Sequence, residues 1–335
     1  MTKKNVTLTI SALAVLLAAL CLADILLVGS GLGLRESFSA LFGKGSTVGR
    51  DIVWGIRAPR ILSALIAGCA LSVSGTQMQA IFRNPLADPH IMGVSSGAGF
   101  LAAVATIAIP SGAAMSLGLR GLSIAGAAFI GAILSSVLII AAMGRIRSGG
   151  TLLIFGVMCG FIFSAFTSVL EYSASEQSLK LFYSWASGSF SGNTWGNIIL
   201  MCAIILLGIL LYIINAKGLD IILFGDDFSR MGGADVERIR RISILGCCLS
   251  TGGVTAFCGP IGFVGIVSPH IARGLLGTSS HMKILPAALL VGSAICVAAD
   301  IISQCFPIPV PPGSTVAIIG IPFIIYILMG HDSFS

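Results

Sequence analysis

The fold is decided by two adjoining stretches of sequence, GNIILMCAIILLGILLYIINA at residues 196–216 and KGLDIILFGDDFSRMGGADVERIRR at residues 217–241. The first stretch has no charged residue and is long enough to cross a bilayer, which takes about 20 apolar residues. The second holds ten of the chain's charged residues, of which there are 19 Lys or Arg and 13 Asp or Glu in all. This contrast predicts a membrane-embedded body with one polar segment that meets a partner in water.

Composition extends this pattern to the whole chain. Of the 335 residues, 56% are hydrophobic and 10% are charged, against about 25% charged in soluble domains, and the mean hydropathy is +1.02. The 42 glycines suit membrane helices, because small residues let helices approach closely. The nine cysteines lack the paired spacing of a disulfide framework or a zinc site. The sequence therefore predicts an all-α, polytopic membrane protein that binds no metal of its own.

Apolar runs between polar breaks predict about ten transmembrane helices. The N-terminal run is too long for the apolar region of a signal peptide, so we expect it to remain as the first span. The predicted spans lie at residues 7–28, 61–82, 91–109, 121–144, 152–172, 196–216, 242–259, 262–276, 285–305 and 314–330.

Basic residues predict the orientation. With a cytoplasmic N-terminus, 12 of the 19 Lys and Arg residues fall inside, so the positive-inside rule places both termini in the cytoplasm. Outer basic residues run against this bias and require a separate explanation. Most of them lie in the loop before the second span, namely Arg35, Lys44, Arg50, Arg57 and Arg60.

Two predicted spans are not ideal helices. The runs at 91–109 and 262–276 are short or glycine-rich, and the second contains Pro269, which lacks a backbone donor. Such segments persist in a bilayer only where protein or a water-lined cavity covers them, so we expect both to face the bundle interior. They follow the second and seventh spans, a pattern typical of transporters built from two inverted halves.

Some motifs allow other functions. The sequence GVSSG at 93–97 matches the hydrolase pattern G-x-S-x-G with Ser95 as nucleophile, but it opens an apolar helix and fits a helix-packing motif better. Asp24, Glu171 and Asp300 lie toward the outer ends of spans, where we expect water to reach them. They would carry the proton in an ion-coupled secondary transporter, which is the main alternative function.

The polar stretch at 217–241 has the signals of two helices. Asp226 and Asp227 can start a short helix that runs to Met231, and the glycines that follow can end it. Asp235 can cap a second helix that continues into the seventh span. A helix, a glycine break and a second helix are more than a simple connector requires.

Taken together, the motifs resemble those of the FecCD family of ABC-importer permeases, and the resemblance covers nearly the whole chain. The matching segments are RAPR at 57–60, SGTQMQ at 74–79, NPLADP at 84–89, GVSSGAG at 93–99, GPIGFVG at 259–265, PHIAR at 269–273 and AD at 299–300.

The resemblance implies a type II ABC importer permease fold, with one permease domain spanning residues 1–335 of a multi-pass protein of the bacterial inner membrane. Its implied partners are a second copy of the permease, two cytoplasmic ATPase subunits, an external substrate-binding protein and membrane lipid, with no nucleic acid. The ATPases would bind ATP and Mg²⁺, so the permease would need no cofactor and would not itself be an enzyme. The implied cargo is an iron–siderophore complex, haem or cobalamin.

The resemblance also implies three groups of functional residues and no catalytic residue. Arg57 and Arg60 would dock the binding protein, while Gln304 stands where many relatives have a third arginine. The cytoplasmic gate would comprise Asn84, Ser148, Gly149, Gly150 and Thr151. Coupling to the ATPase would fall to Gly225, Asp226, Asp227, Phe228, Ser229, Arg230, Met231, Gly232 and Gly233.

Overall fold

The computed structural model describes residues 3–27, 31–108, 117–146, 148–306, 308 and 310–331. All regular secondary structure in these ranges is helical, which confirms the all-α fold class. Short π-helical segments follow α3 at Val53–Arg57 and α5 at Val104–Ala108. The α-helices, in chain order, are α1 (Lys3–Leu27), α2 (Leu34–Leu41), α3 (Thr47–Ile52), α4 (Ala58–Phe82), α5 (Val94–Ala103), α6 (Leu117–Met143), α7 (Gly149–Tyr172), α8 (Glu176–Ala186), α9 (Trp195–Ile222), α10 (Asp226–Met231), α11 (Val236–Cys258), α12 (Val264–Leu276), α13 (His281–Cys305) and α14 (Pro312–His331).

The ten predicted spans correspond to ten of these helices. Within the described ranges, seven helices are long and apolar enough to cross a membrane, and three shorter apolar helices lie in the regions of α5, α12 and α14. Asp235 caps α11 as predicted, because its carboxylate accepts the backbone N–H of Arg238 at 2.9 Å. The sequence did not indicate α2, α3 and α8, which lie outside the predicted spans.

The centre of the bundle is built around α4, which packs against α9, α11, α12 and α13. In an apolar 18-residue window of the stretch that includes α4, 78% of the residues are buried, against 6% in the corresponding window of α1. The backbones of α4 and α12 touch at Gly75, where a Cβ atom would lie 1.8 Å from the carbonyl oxygen of Gly265. Only glycine at position 75 permits this crossing.

The two short helices are covered by protein, as expected for irregular segments inside a membrane. On α12, the hydroxyl of Ser268 lies 2.6 Å from that of Ser72 on α4. On α5, Gly97 packs so closely on α6 that a Cβ atom would lie 2.5 Å from the carbonyl oxygen of Gly131. This contact confirms that the 93–97 motif serves helix packing.

Candidate functional site

The two ends of α4 define two opposite faces of the bundle. Because an α-helix rises about 1.5 Å per residue, the ends of this 25-residue helix are far apart. Its first turn follows the π-helical segment Val53–Arg57, which contacts α2, so we call that end the α2 face. Its last turn lies beside α10, and we call that end the α10 face.

On the α10 face, the predicted short helix forms between two glycine joints. Gly225 precedes α10 with φ +103°, and Gly233 follows it with φ +82°, a backbone region that favours glycine. Ser229 lies on the buried side of α10. Its hydroxyl donates to the carbonyl oxygens of Gly225 at 2.6 Å and Ile221 at 3.1 Å. These glycine breaks confirm the local structure that the sequence predicted.

Apolar side chains project outward from α10 and from the residue that precedes its first joint. Phe224, Phe228 and Met231 are 72%, 57% and 80% exposed, and the two phenylalanine rings lie 5.5 Å apart. A charged segment that projects apolar side chains outward is typical of a protein–protein contact surface. The sequence predicted a role for this segment, but not that Phe224 would extend the surface.

A recess of about 660 Å³ lies beside α10 and brings together the predicted coupling and gate segments. Asn84 is not among its lining residues; its side chain accepts the backbone N–H of Leu86 at 2.9 Å and so shapes its own turn. Thr151, in the first turn of α7, is also outside the lining. The recess is lined by Ile81, Phe82, Arg83, Ser148, Gly149, Gly150, Phe224, Gly225, Asp226, Asp227, Phe228 and Arg240.

Arg240 joins these segments, and sequence reasoning missed it. Its side chain is 4% exposed, and Nη2 lies 2.9 and 3.1 Å from the two carboxylate oxygens of Asp226. The sequence of α11 could have indicated that Arg240 is buried, because Arg240 follows Val236 and Ile239 at the helical spacing i, i+3, i+4. All three residues are buried in the structure. An arginine on the buried stripe of an amphipathic helix requires an acidic partner.

On the α2 face, the two predicted docking arginines make internal contacts. Arg60 forms a bidentate pair with Asp300, with Nε–Oδ2 at 2.8 Å and Nη2–Oδ1 at 2.7 Å. Arg57 is buried, and its Nη1 donates to the carbonyl oxygen of Ile25 at 2.6 Å and to the hydroxyl of Ser37 at 3.2 Å.

The prediction that water reaches Asp24 and Asp300 was wrong. Asp24 is 3% exposed and Asp300 is fully buried, because helices α1, α4 and α13 meet there and close over both carboxylates. Gln304 bridges them, donating to Asp24 Oδ1 at 3.1 Å and to Asp300 Oδ2 at 3.1 Å. Gln304 is therefore part of this buried network.

The structure contains a serine–histidine contact that a hydrolase could use, but not, within the described residues, the group that would orient the histidine. Ser95 Oγ lies 2.5 Å from His90 Nδ1. Asp88, however, accepts the backbone N–H of His90 and not the ring, and within the described residues the ring Nε2 has no hydrogen-bond partner. A serine nucleophile needs a base that a third group orients, and that group is missing from the described part of the chain.

Comparison with known proteins decides the family. The model of the FecCD transport family matches residues 15–330. The chain belongs to the FecCD transport family. Among relatives of this FecCD permease are the cobalamin import system permease BtuC of Halobacterium salinarum, 34% identical over 84% of this chain and 74% of the relative, and the siderophore transport system permease YfhA of Bacillus subtilis, 35% identical over 91% of each. The hemin transport system permease HmuU of Yersinia pestis is 32% identical over 88% of this chain and 89% of the relative.

The fold of the FecCD permease also matches a solved structure. An inward-facing metal-chelate type ABC transporter superposes with a TM-score of 0.82, covers 97% of this chain and 99% of its own, and is 24% identical. This likeness confirms the expected permease fold. The family match and the named permeases confirm that the chain is a multi-pass transport subunit of an ABC importer.

Proposed function

We propose that this FecCD permease pairs with a second copy to form a pathway through the bacterial cytoplasmic membrane for an iron–siderophore complex, haem or cobalamin. The relatives named for cobalamin, siderophore and hemin transport support this substrate class. The whole chain then acts as one permease domain with both termini in the cytoplasm. It does no covalent chemistry, and two partner ATPases bind and hydrolyse ATP.

The observation that carries this proposal is the exposed apolar side of α10. In the proposed orientation the α10 face is cytoplasmic, so Phe224, Phe228 and Met231 project into water on the side where the ATPases lie. Glycine joints at both ends let the short helix move with a partner. Residues 225–233 are therefore proposed as the ATPase-coupling segment.

The gate and the docking site follow from the same orientation. The segment 148–151, three residues of which line the recess beside the coupling segment, and Asn84 are proposed to close the cytoplasmic end of the pathway. At the external end, Arg57 and Arg60 are proposed to receive acidic residues of the binding protein. Because Arg60 is already paired with Asp300 and Arg57 is buried against Ile25 and Ser37, docking requires Arg60 to share or exchange its partner and Arg57 to become exposed.

Reconstitution in proteoliposomes tests the proposed function. The permease is combined with candidate ATPase and binding-protein subunits from the same genome, and uptake of cyanocobalamin, haemin and ferrichrome is measured separately. We expect uptake of one of them that requires ATP, the ATPase and the binding protein. Uptake driven by a proton gradient without the ATPase would instead establish the secondary-transporter alternative.

A further inference from the structure

The helix α10 has few fixed contacts with the rest of the bundle. It has six residues, of which only Ser229 is fully buried, and a glycine joint lies at each end. The hydroxyl of Ser229 donates to Gly225 and, across the first joint, to Ile221 near the end of α9. A displacement of α10 can therefore reach the end of α9, but it needs another contact to reach α11 and the gate segment.

That contact is the ion pair between Asp226 and Arg240. Arg240 lies on α11, which packs along α4, α6 and α9 through the centre of the protein. The guanidinium is buried, and removing one partner of a buried pair is strongly unfavourable because the other charge is left uncompensated. The nearby pair of Arg230 and Glu237 is different, since it is 3.5 Å long and about half exposed on both sides, and such surface pairs contribute little.

The same guanidinium also meets the gate segment. A Cβ atom on Gly149, the first residue of α7, would lie 3.1 Å from Arg240 Nη2 and 3.4 Å from the carbonyl oxygen of Ile81 on α4. Arg240 thus contacts α10 and lies beside the start of α7, which in turn packs against the end of α4. A side chain at position 149 would therefore press on the guanidinium.

We propose that Arg240 is a positioning residue that transmits movement of α10 to α11 and to the gate segment at 148–151. This inference rests on the proposed coupling role of α10 and adds the route by which that role reaches the gate. ATPase closure displaces α10, the ion pair carries the displacement to Arg240, and Arg240 moves the start of α7, which packs on the end of α4. Without the pair, α10 still binds the ATPase, but its movement no longer reaches Arg240.

Hydrogen–deuterium exchange on the complete transporter tests this route. The permease–ATPase complex is compared with and without a non-hydrolysable ATP analogue, following peptides from residues 224–234 and 148–156. In the native complex, we expect the analogue to change exchange in both segments. In Arg240→Gln, the change at 224–234 should persist while the change at 148–156 is lost, and Arg240→Lys should restore part of it because lysine keeps the charge.

Two further variants keep the test decisive. Asp226→Asn breaks the same pair from its more exposed side and should give the same selective loss, even if Arg240→Gln does not assemble. Arg238→Gln changes an exposed arginine on the same helix and should leave both responses intact. An unchanged response at 148–156 in the pair-breaking variants would overturn the inference. A native complex without any response at 224–234 would instead refute the proposed coupling role.

Discussion

Arg60 and Asp300, 240 positions apart in the sequence, form a bidentate ion pair that joins the start of α4 to the last third of α13. Asp300 is fully buried, and Gln304 adds a hydrogen bond to the same carboxylate. The pair therefore fixes the two helices at the face where the binding protein is proposed to dock. Its structural and docking roles can be separated by experiment.

Asp300→Ala should destabilise the protein, because it leaves the Arg60 guanidinium without its buried partner. We expect a loss of about 3–5 kcal/mol in the free energy of unfolding, measured by denaturation in detergent micelles. The double variant Arg60→Met/Asp300→Leu should lose less, since it removes both charges together. Glu171→Ala, at a partly exposed helix end, should change stability by no more than about 0.5 kcal/mol. Equal losses for both acids would refute the structural role.

Arg60→Gln should weaken capture of the binding protein, if Arg60 supplies a docking charge. The loss should be larger at low salt, because the screening length falls from about 30 Å at 0.01 M to about 3 Å at 1 M. Asp300→Asn breaks the same internal pair but keeps the cation, so it should not weaken capture. Surface plasmon resonance with permease in nanodiscs measures both affinities. Equal weakening by the two variants would show that only the structure of this face matters.

The spans could be predicted from the sequence because burial in lipid imposes long apolar runs that can be read locally. Local signals also predicted α10, where Asp226 and Asp227 start a short helix and the glycines after Met231 end it, and the Asp235 cap of α11. The amphipathic helices α2 and α8 were missed, since each is only a few turns long and has no long apolar run.

Burial of the acids could not be predicted, because it depends on pairing across the chain. Asp24 and Asp300 lie near the ends of their spans, and position along a span alone indicates contact with water. The packing of α1, α4 and α13 encloses both carboxylates, and no local sequence pattern predicts this packing. Helical spacing could have placed Arg240 on the buried stripe of α11, but its partner Asp226 belongs to a different helix beyond a glycine break, so the pair itself has no local signal.

The double variant Phe228→Ala/Met231→Ala should weaken binding of the ATPase. Exposed apolar side chains at the centre of an interface often cost about 2 kcal/mol or more when truncated, which is about 30-fold in affinity. Binding of purified ATPase to permease in nanodiscs measures the effect. Phe38→Ala removes an exposed phenylalanine from α2, on the opposite face, and should leave this affinity unchanged. Unaltered binding by the double variant would count against α10 as the contact surface.

Gly75→Ala should disrupt the packing of α4 on α12. A methyl group at this position would lie 1.8 Å from the carbonyl oxygen of Gly265, so the helices must separate, and overpacking of this kind typically costs about 1–3 kcal/mol or more. Gly126→Ala is the matched control, because Gly126 lies within α6 with nothing within 4 Å of the added carbon. Alanine there should be neutral or stabilise the helix by up to about 1 kcal/mol. Thermal unfolding in detergent compares the two variants. Equal melting temperatures would mean that a side chain fits at the α4–α12 crossing, and that the two backbones are not in contact there.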